Sequence, residues 1–152
     1  AAMWGDGEET ILAATAVLAD AKVAPELESE ARHYRSKALV EANQLAHAVA
    51  DWEALAKDTR NVYGAEAKYR LAQYLFDSGK TKEAEQEVLN YLEVSTPHAY
   101  WLARSFVLLS DIYAKLDRKL EARQYLLSLK QNYQADDDIA GMIESRLEKL
   151  NE

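Results

Sequence analysis

The chain has 152 residues, 49% hydrophobic and 29% charged, which is enough apolar material to bury a core as one domain of ordinary size and too much for a disordered polypeptide. A net charge of -8 and a pI near 5.0 disfavour a nucleic-acid phosphate surface, because the long-range field repels a polyanion. The lack of cysteine removes disulfides, thiolate metal sites and thiol catalysis, and no run of about 18 apolar residues offers a membrane span. In AAMWGDGEET no basic end is followed by an apolar core, so no signal peptide is expected there. Only five Gly and two Pro stand against abundant Ala, Leu, Glu, Lys and Gln, so helix is expected nearly throughout.

In chain order, the first helix is expected over residues 8–23. It carries Ile11, Ala14, Leu18 and Ala21 on one stripe and Asp6, Glu8 and Glu9 near its positive end. No helix precedes it to cover that stripe, so either it packs beneath the next pair or a preceding unit is missing; the expectation is the latter, half of an incomplete unit. Pro25 suits the first turn of a second helix ending near Ala42, because the amide hydrogen it lacks has no partner there in any helix. A third helix, about Gln44 to Lys57, turns Ala48, Trp52 and Leu55 inward, and a loop through Asn61 and Gly64 follows. The stretch Ala65 to Pro97 then reads as helix, tight turn at Gly79, helix, with Leu71, Ala72 and Leu75 on one face and Ala84, Val88 and Tyr91 on the next. Thr96 and Pro97 signal a new helix start, and His98 to Leu116 forms a long helix that Asp117 breaks. A partner helix runs to about Tyr133. Three aspartates, 136 to 138, introduce a last helix that is apolar at Ile139, Met142, Ile143, Leu147 and Leu150 and polar at Glu144, Arg146, Glu148 and Lys149.

One pattern recurs. Ser36, Asn43 and Ala48 correspond to Ala72, Gly79 and Ala84 at a shift of 36, and these to Ser110, Asp117 and Ala122 at a shift of 38. The middle residue of each set tolerates positive φ, as a tight turn between helices requires. The small residues on either side let two backbones approach closely, and Leu39, Leu75 and Tyr113 fill the space beside them. Ala84 is expected in that close contact and Glu85 on the outer face.

These residues resemble the tetratricopeptide repeat, whose period is about 34 residues. The likeness is best over Ala65 to Pro97, weaker over Ala103 to Asn132, and weakest over Ser29 to Asp58, where Arg32 and Arg35 stand at positions the pattern gives to apolar residues. The resemblance implies an all-α fold, a right-handed superhelix of antiparallel helix pairs (an α-solenoid) closed by a capping helix. Its parts are an incomplete unit at 8–23, repeats at 25–58, 65–97 and 98–133, and the cap at 136–151. It further implies a non-catalytic scaffold with a concave groove lined by the first helix of each pair. The groove positions are Glu30, His33, Lys37 and Val40, then Glu66, Tyr69, Gln73 and Phe76, then Arg104, Val107 and Asp111, with Tyr69 and Phe76 as exposed aromatic anchors for a protein or peptide partner. The irregular spacing is similar to that of bacterial cell-envelope scaffolds. The alternative is a structural end-piece of a longer array that caps it or self-associates. The family's grip on a partner's C-terminal carboxylate is not carried over, since Lys37 and Arg70 replace amides and Leu108 replaces an arginine, leaving only Arg104 in character.

Catalytic and metal patterns are weak. Gly79-Lys80-Thr81 echoes a phosphate-binding loop, but the earlier glycine falls at Tyr74 inside a helix. Glu30 and His33 have the spacing of a di-iron ligand pair without a second such pair. His47 and Asp51 lie one turn apart, too few for a metal, and read as a solvated face; His98 reads as a surface residue. No enzyme activity, metal or cofactor is expected.

Overall fold

Positive φ recurs at the three residues singled out by the repeat: 59° at Asn43, 82° at Gly79 and 60° at Asp117. Each closes the helix before it in the same way. The amide after the left-handed residue donates to the carbonyl five positions back, Gln44 to Leu39 at 2.8 Å, Lys80 to Leu75 at 2.9 Å and Arg118 to Tyr113 at 2.8 Å. The left-handed residue itself donates to Val40, Phe76 or Ala114. This double closure satisfies carbonyls that a helix end otherwise leaves unpaired. The flanking small residues Ser36, Ala72 and Ser110, and Ala48, Ala84 and Ala122, are all buried.

The computed structural model describes residues 4–5, 7–94 and 96–152; Asp6, expected near the start of the first helix, lies outside them. Among the described residues the fold is all-α, with no strand. The helices are α1 (Glu8–Leu18), α2 (Pro25–Glu41), α3 (Leu45–Leu55), α4 (Val62–Asp77), α5 (Thr81–Glu93), α6 (Ala99–Lys115), α7 (Lys119–Asn132) and α8 (Ile139–Leu150). None is long and apolar enough to cross a membrane. The chain divides into two compact units, Ala1–Leu71 and Ala72–Glu152, so α4 contributes its first ten residues to one and its last six to the other.

In the first unit α2 packs against both α1 and α3. Helix α1 is shorter than expected: beyond Leu18 the chain turns, and the Asp20 carboxylate accepts the Lys22 amide at 2.9 Å, a local bond that competes with helix. Its buried contacts gather Trp4, Ala14 and Ala31 with Val17, Leu18, Leu27 and Tyr34, and Ala21 is exposed. Helix α4 begins three residues before the expected start, because the Asn61 side chain accepts the Tyr63 amide at 2.8 Å and caps it. Gly64 is therefore helical. A β-carbon there would lie 1.9 Å from the Asp58 carbonyl oxygen and 2.5 Å from that of Leu55, so glycine is required by backbone contact and not by a loop.

Charge also behaves differently in this unit. Asp51, expected on a solvated face, has a side chain 0% exposed; Arg35 donates to both its oxygens at 2.8 and 2.6 Å, and Arg32 approaches at 3.4 Å. Arg35 also reaches Thr15 of α1 at 3.2 Å. The two arginines that depart from the repeat pattern are thus the partners of one buried carboxylate, which ties α2 to α3.

In the second unit α6 packs against α5, α7 and α8, and α7 against α8. Its core is Ala103 and Val107 of α6, Leu126 and Leu129 of α7, and Ile139 and Ile143 of α8. Pro97 precedes α6 instead of opening it: the Thr96 hydroxyl accepts the His98 amide at 3.2 Å and the helix starts at Ala99. At the last helix Asp138 is the N-cap residue without a side-chain capping bond, and the Asp137 carboxylate before it accepts the Ile139 amide at 2.9 Å. Glu85 is not an outer residue; it is half-buried and 3.8 Å from Arg118. Arg146 likewise turns inward onto Asp111, with bonds of 2.9 and 3.1 Å.

Candidate binding faces

On the first unit, the α2 positions Glu30, His33 and Lys37 lie in an aromatic setting. The His33 ring stacks on Tyr63 of α4, centroids 4.2 Å apart, and meets Tyr34 edge-on at 4.9 Å. Trp4, from the segment before α1, stacks on Tyr34 at 6.0 Å, and its indole N–H donates to Glu30 at 2.7 Å. A cleft of about 150 Å³ opens beside it, walled by Trp4, Thr10, Tyr34, Lys37 and Glu41. On α4, Arg70 bonds Glu66 at 3.2 Å and lies 5.6 Å from the Tyr69 ring centre.

Burial holds the His33 imidazole below its ordinary pKa of 6.5, the Glu66 carboxylate opposes that shift, and the Lys37 and Arg70 cations add to it. A histidine whose folded-state pKa is depressed binds its proton more readily in the unfolded chain. Its neutral form therefore contributes stability in full above pH 6.5, and that contribution is lost as pH falls through the lower folded-state value. Chemical denaturation between pH 7.5 and 5 is expected to show stability falling with pH, and His33→Gln to flatten that fall; an unchanged slope in His33→Gln would refute the assignment.

On the second unit, Arg104 donates to the Tyr100 hydroxyl at 2.9 Å and lies 5.8 Å from the ring centres of both Tyr100 and Trp101. The Tyr100 hydroxyl donates in turn to Asp138 at 2.9 Å. Burial pushes its pKa up, and the Arg104 bond acts the other way. This short relay joins α6 to the start of α8.

The expected groove residues fare unequally. His33 and Lys37 share the α2 face, with Lys37 exposed. Tyr69 is only 4% exposed, so it is a core residue of its unit and not an exposed anchor. Val107, 3% exposed, belongs to the core under α7 and α8, and Asp111 is engaged by Arg146; the apolar face of α8 packs on this part of α6. Gln73 donates to Asp77 at 2.9 Å. Phe76 is half-buried. Of the carboxylate-gripping positions, Leu108 is buried.

Missing from the sequence reading were Trp4, Tyr34 and Tyr63. Tyr34 adjoins His33, and Tyr63 falls at the spacing of Glu66 and Arg70 once Asn61 is recognised as the cap of α4. Among the described residues no cluster of three or more His, Asp and Glu side chains could hold a metal ion. Comparison of the chain with protein-family models, curated proteins and solved structures finds no match.

Proposed function

We propose that this chain is a non-catalytic scaffold of tetratricopeptide type, in which stacked helix pairs present the faces of their first helices to a protein or peptide segment. One observation carries the reading: the same left-handed turn closes α2, α4 and α6, and each time a buried small residue lies seven positions before it and a buried alanine five after. A threefold recurrence of backbone geometry and packing at matched positions is what a repeat scaffold requires of its sequence. The contact residues proposed are His33 and Lys37 on α2 of the first unit and, in the second unit, Phe76 and Gln73 at the end of α4 and Arg104 on α6.

Selection of a random-peptide display library on the immobilised chain tests this. Enriched peptides should lose about tenfold in affinity, ~1.4 kcal/mol, against Lys37→Glu or Phe76→Ala while the melting temperature holds. No enrichment over a helical control protein would overturn the proposal. Tyr69→Ala is unsuitable as a probe, since it would hollow the core. Leu12 and Leu120, 70% and 69% exposed, favour a second reading as a self-associating segment, for which light scattering should give a mass that rises with concentration.

A further inference from the structure

Trp4 lies on the same α2 face that the scaffold reading reserves for a partner. We propose that this face is a receptor site for a tryptophan borne by an extended peptide segment, filled in cis by Trp4. The assignment rests on the scaffold reading and adds the chemistry of the ligand.

Three features define the site. The Tyr34 ring offers a stacking surface, and the Glu30 carboxylate accepts the indole N–H at 2.7 Å. Beside them the cleft of about 150 Å³ leaves room for a neighbouring residue, with Lys37 and Glu41 supplying charge of both signs. Indole is a donor only and tyrosine carries its hydroxyl at the ring's far end; histidine and arginine can also stack and donate, but tryptophan covers the largest apolar area while giving Glu30 its bond. Phenylalanine would leave the carboxylate without that bond. Tryptophan is also the side chain most often found at binding hot spots, because it buries a large rigid area while keeping one polar handle.

The occupant is attached in a way an incoming segment can copy. Trp4 and Gly5 lie outside any helix. Besides the apolar packing of Trp4 with Ala14 and Ala31, they are held by the indole bond to Glu30, the ring contact with Tyr34 and the Gly5 carbonyl accepting from the Thr10 hydroxyl. Trp4 is nevertheless 7% exposed, so the face it covers is a well-formed seat. A tethered occupant competes at the high effective concentration of an intramolecular ligand, so the site should show its affinity only when Trp4 is removed.

The test uses the full chain as wild type, Trp4→Ala, and Trp4→Ala with Glu30→Ala. The probes are the end-blocked peptide AAMWGDG, which is the chain's own sequence from Ala1 to Gly7, and its counterpart with alanine in place of tryptophan, titrated by calorimetry or NMR. The Trp4→Ala protein should bind the tryptophan peptide at least about tenfold tighter than wild type does, ignore the alanine peptide, and lose about fivefold when Glu30 is also replaced. A folded Trp4→Ala protein that does not distinguish the two peptides, or is indifferent to Glu30→Ala, overturns the proposal. Trp4→Leu, which fills part of the space without a donor, is held to the same criterion. Unfolding of both variants would make Trp4 a fixed core element and overturn it as well. Display-selected peptides that bind equally well after loss of their tryptophan would remove this assignment and leave the scaffold reading standing.

Discussion

Asp51→Asn should destabilise the first unit by about 3 kcal/mol, the lower end of what is lost when one partner of a buried ion pair is removed, because Arg35 and Arg32 keep side-chain exposures of 20% and 26% and recover some hydration. Asparagine keeps the shape of the carboxylate but not its charge, so Arg35 is left partly buried without a counter-ion and Arg32 keeps only Glu28, at 3.5 Å. For a chain of this size that corresponds to a fall of roughly 6–12 °C in melting temperature. The drop should be nearly insensitive to salt, since a carboxylate shielded from solvent is screened little. Glu53→Gln, an exposed carboxylate on the same helix, is the control. Equal effects of the two would mean that the Asp51 network contributes nothing to the fold.

Ala84→Trp should cost roughly 3 kcal/mol, the upper range of overpacked cores. Ala84 is wholly buried in α5 five residues after the left-handed glycine, so the added volume of an indole must displace its neighbours. Glu83→Trp, on the exposed side of the same helix, should cost little. Ala48→Trp and Ala122→Trp, at the equivalent positions of the other two turns, should behave as Ala84→Trp does. Equilibrium denaturation of the four variants decides the matter: a large penalty at one alanine and small ones at the others would break the equivalence on which the repeat reading depends.

Both experiments bear on how much of the molecule could be read from its residues. The left-handed turns were legible because the cost of positive φ is paid within a single residue, and Asn, Gly and Asp are the types that bear it. The small buried partners were legible for a related reason, since they keep a constant distance from the turn. Helix starts are less so: a loop reading of Asn61 hides Tyr63 from the face it shares with Glu66, and Thr96–Pro97 reads as a helix start although the Thr96 hydroxyl accepts the His98 amide in a turn ahead of α6.

The candidate site was less legible than the fold. The family resemblance put Tyr69 and Val107 on groove-facing positions, yet whether such a position meets solvent or another helix depends on neighbours distant in the chain. Arg146, 35 residues after Asp111, decides the fate of that carboxylate, and Trp4, 26 residues before Glu30, decides what covers α2.

By itself the sequence determined the helices and the three points where left-handed residues close them, because dihedral preference, side-chain volume and capping act over a few residues. Only the tertiary structure decided that Asp51 is buried between two arginines, that Tyr69 and Val107 belong to cores, and that Trp4 lies on Tyr34 and Glu30. Burial and ion pairing are properties of the surroundings, and a side chain's surroundings are assembled from segments that the order of residues does not place side by side.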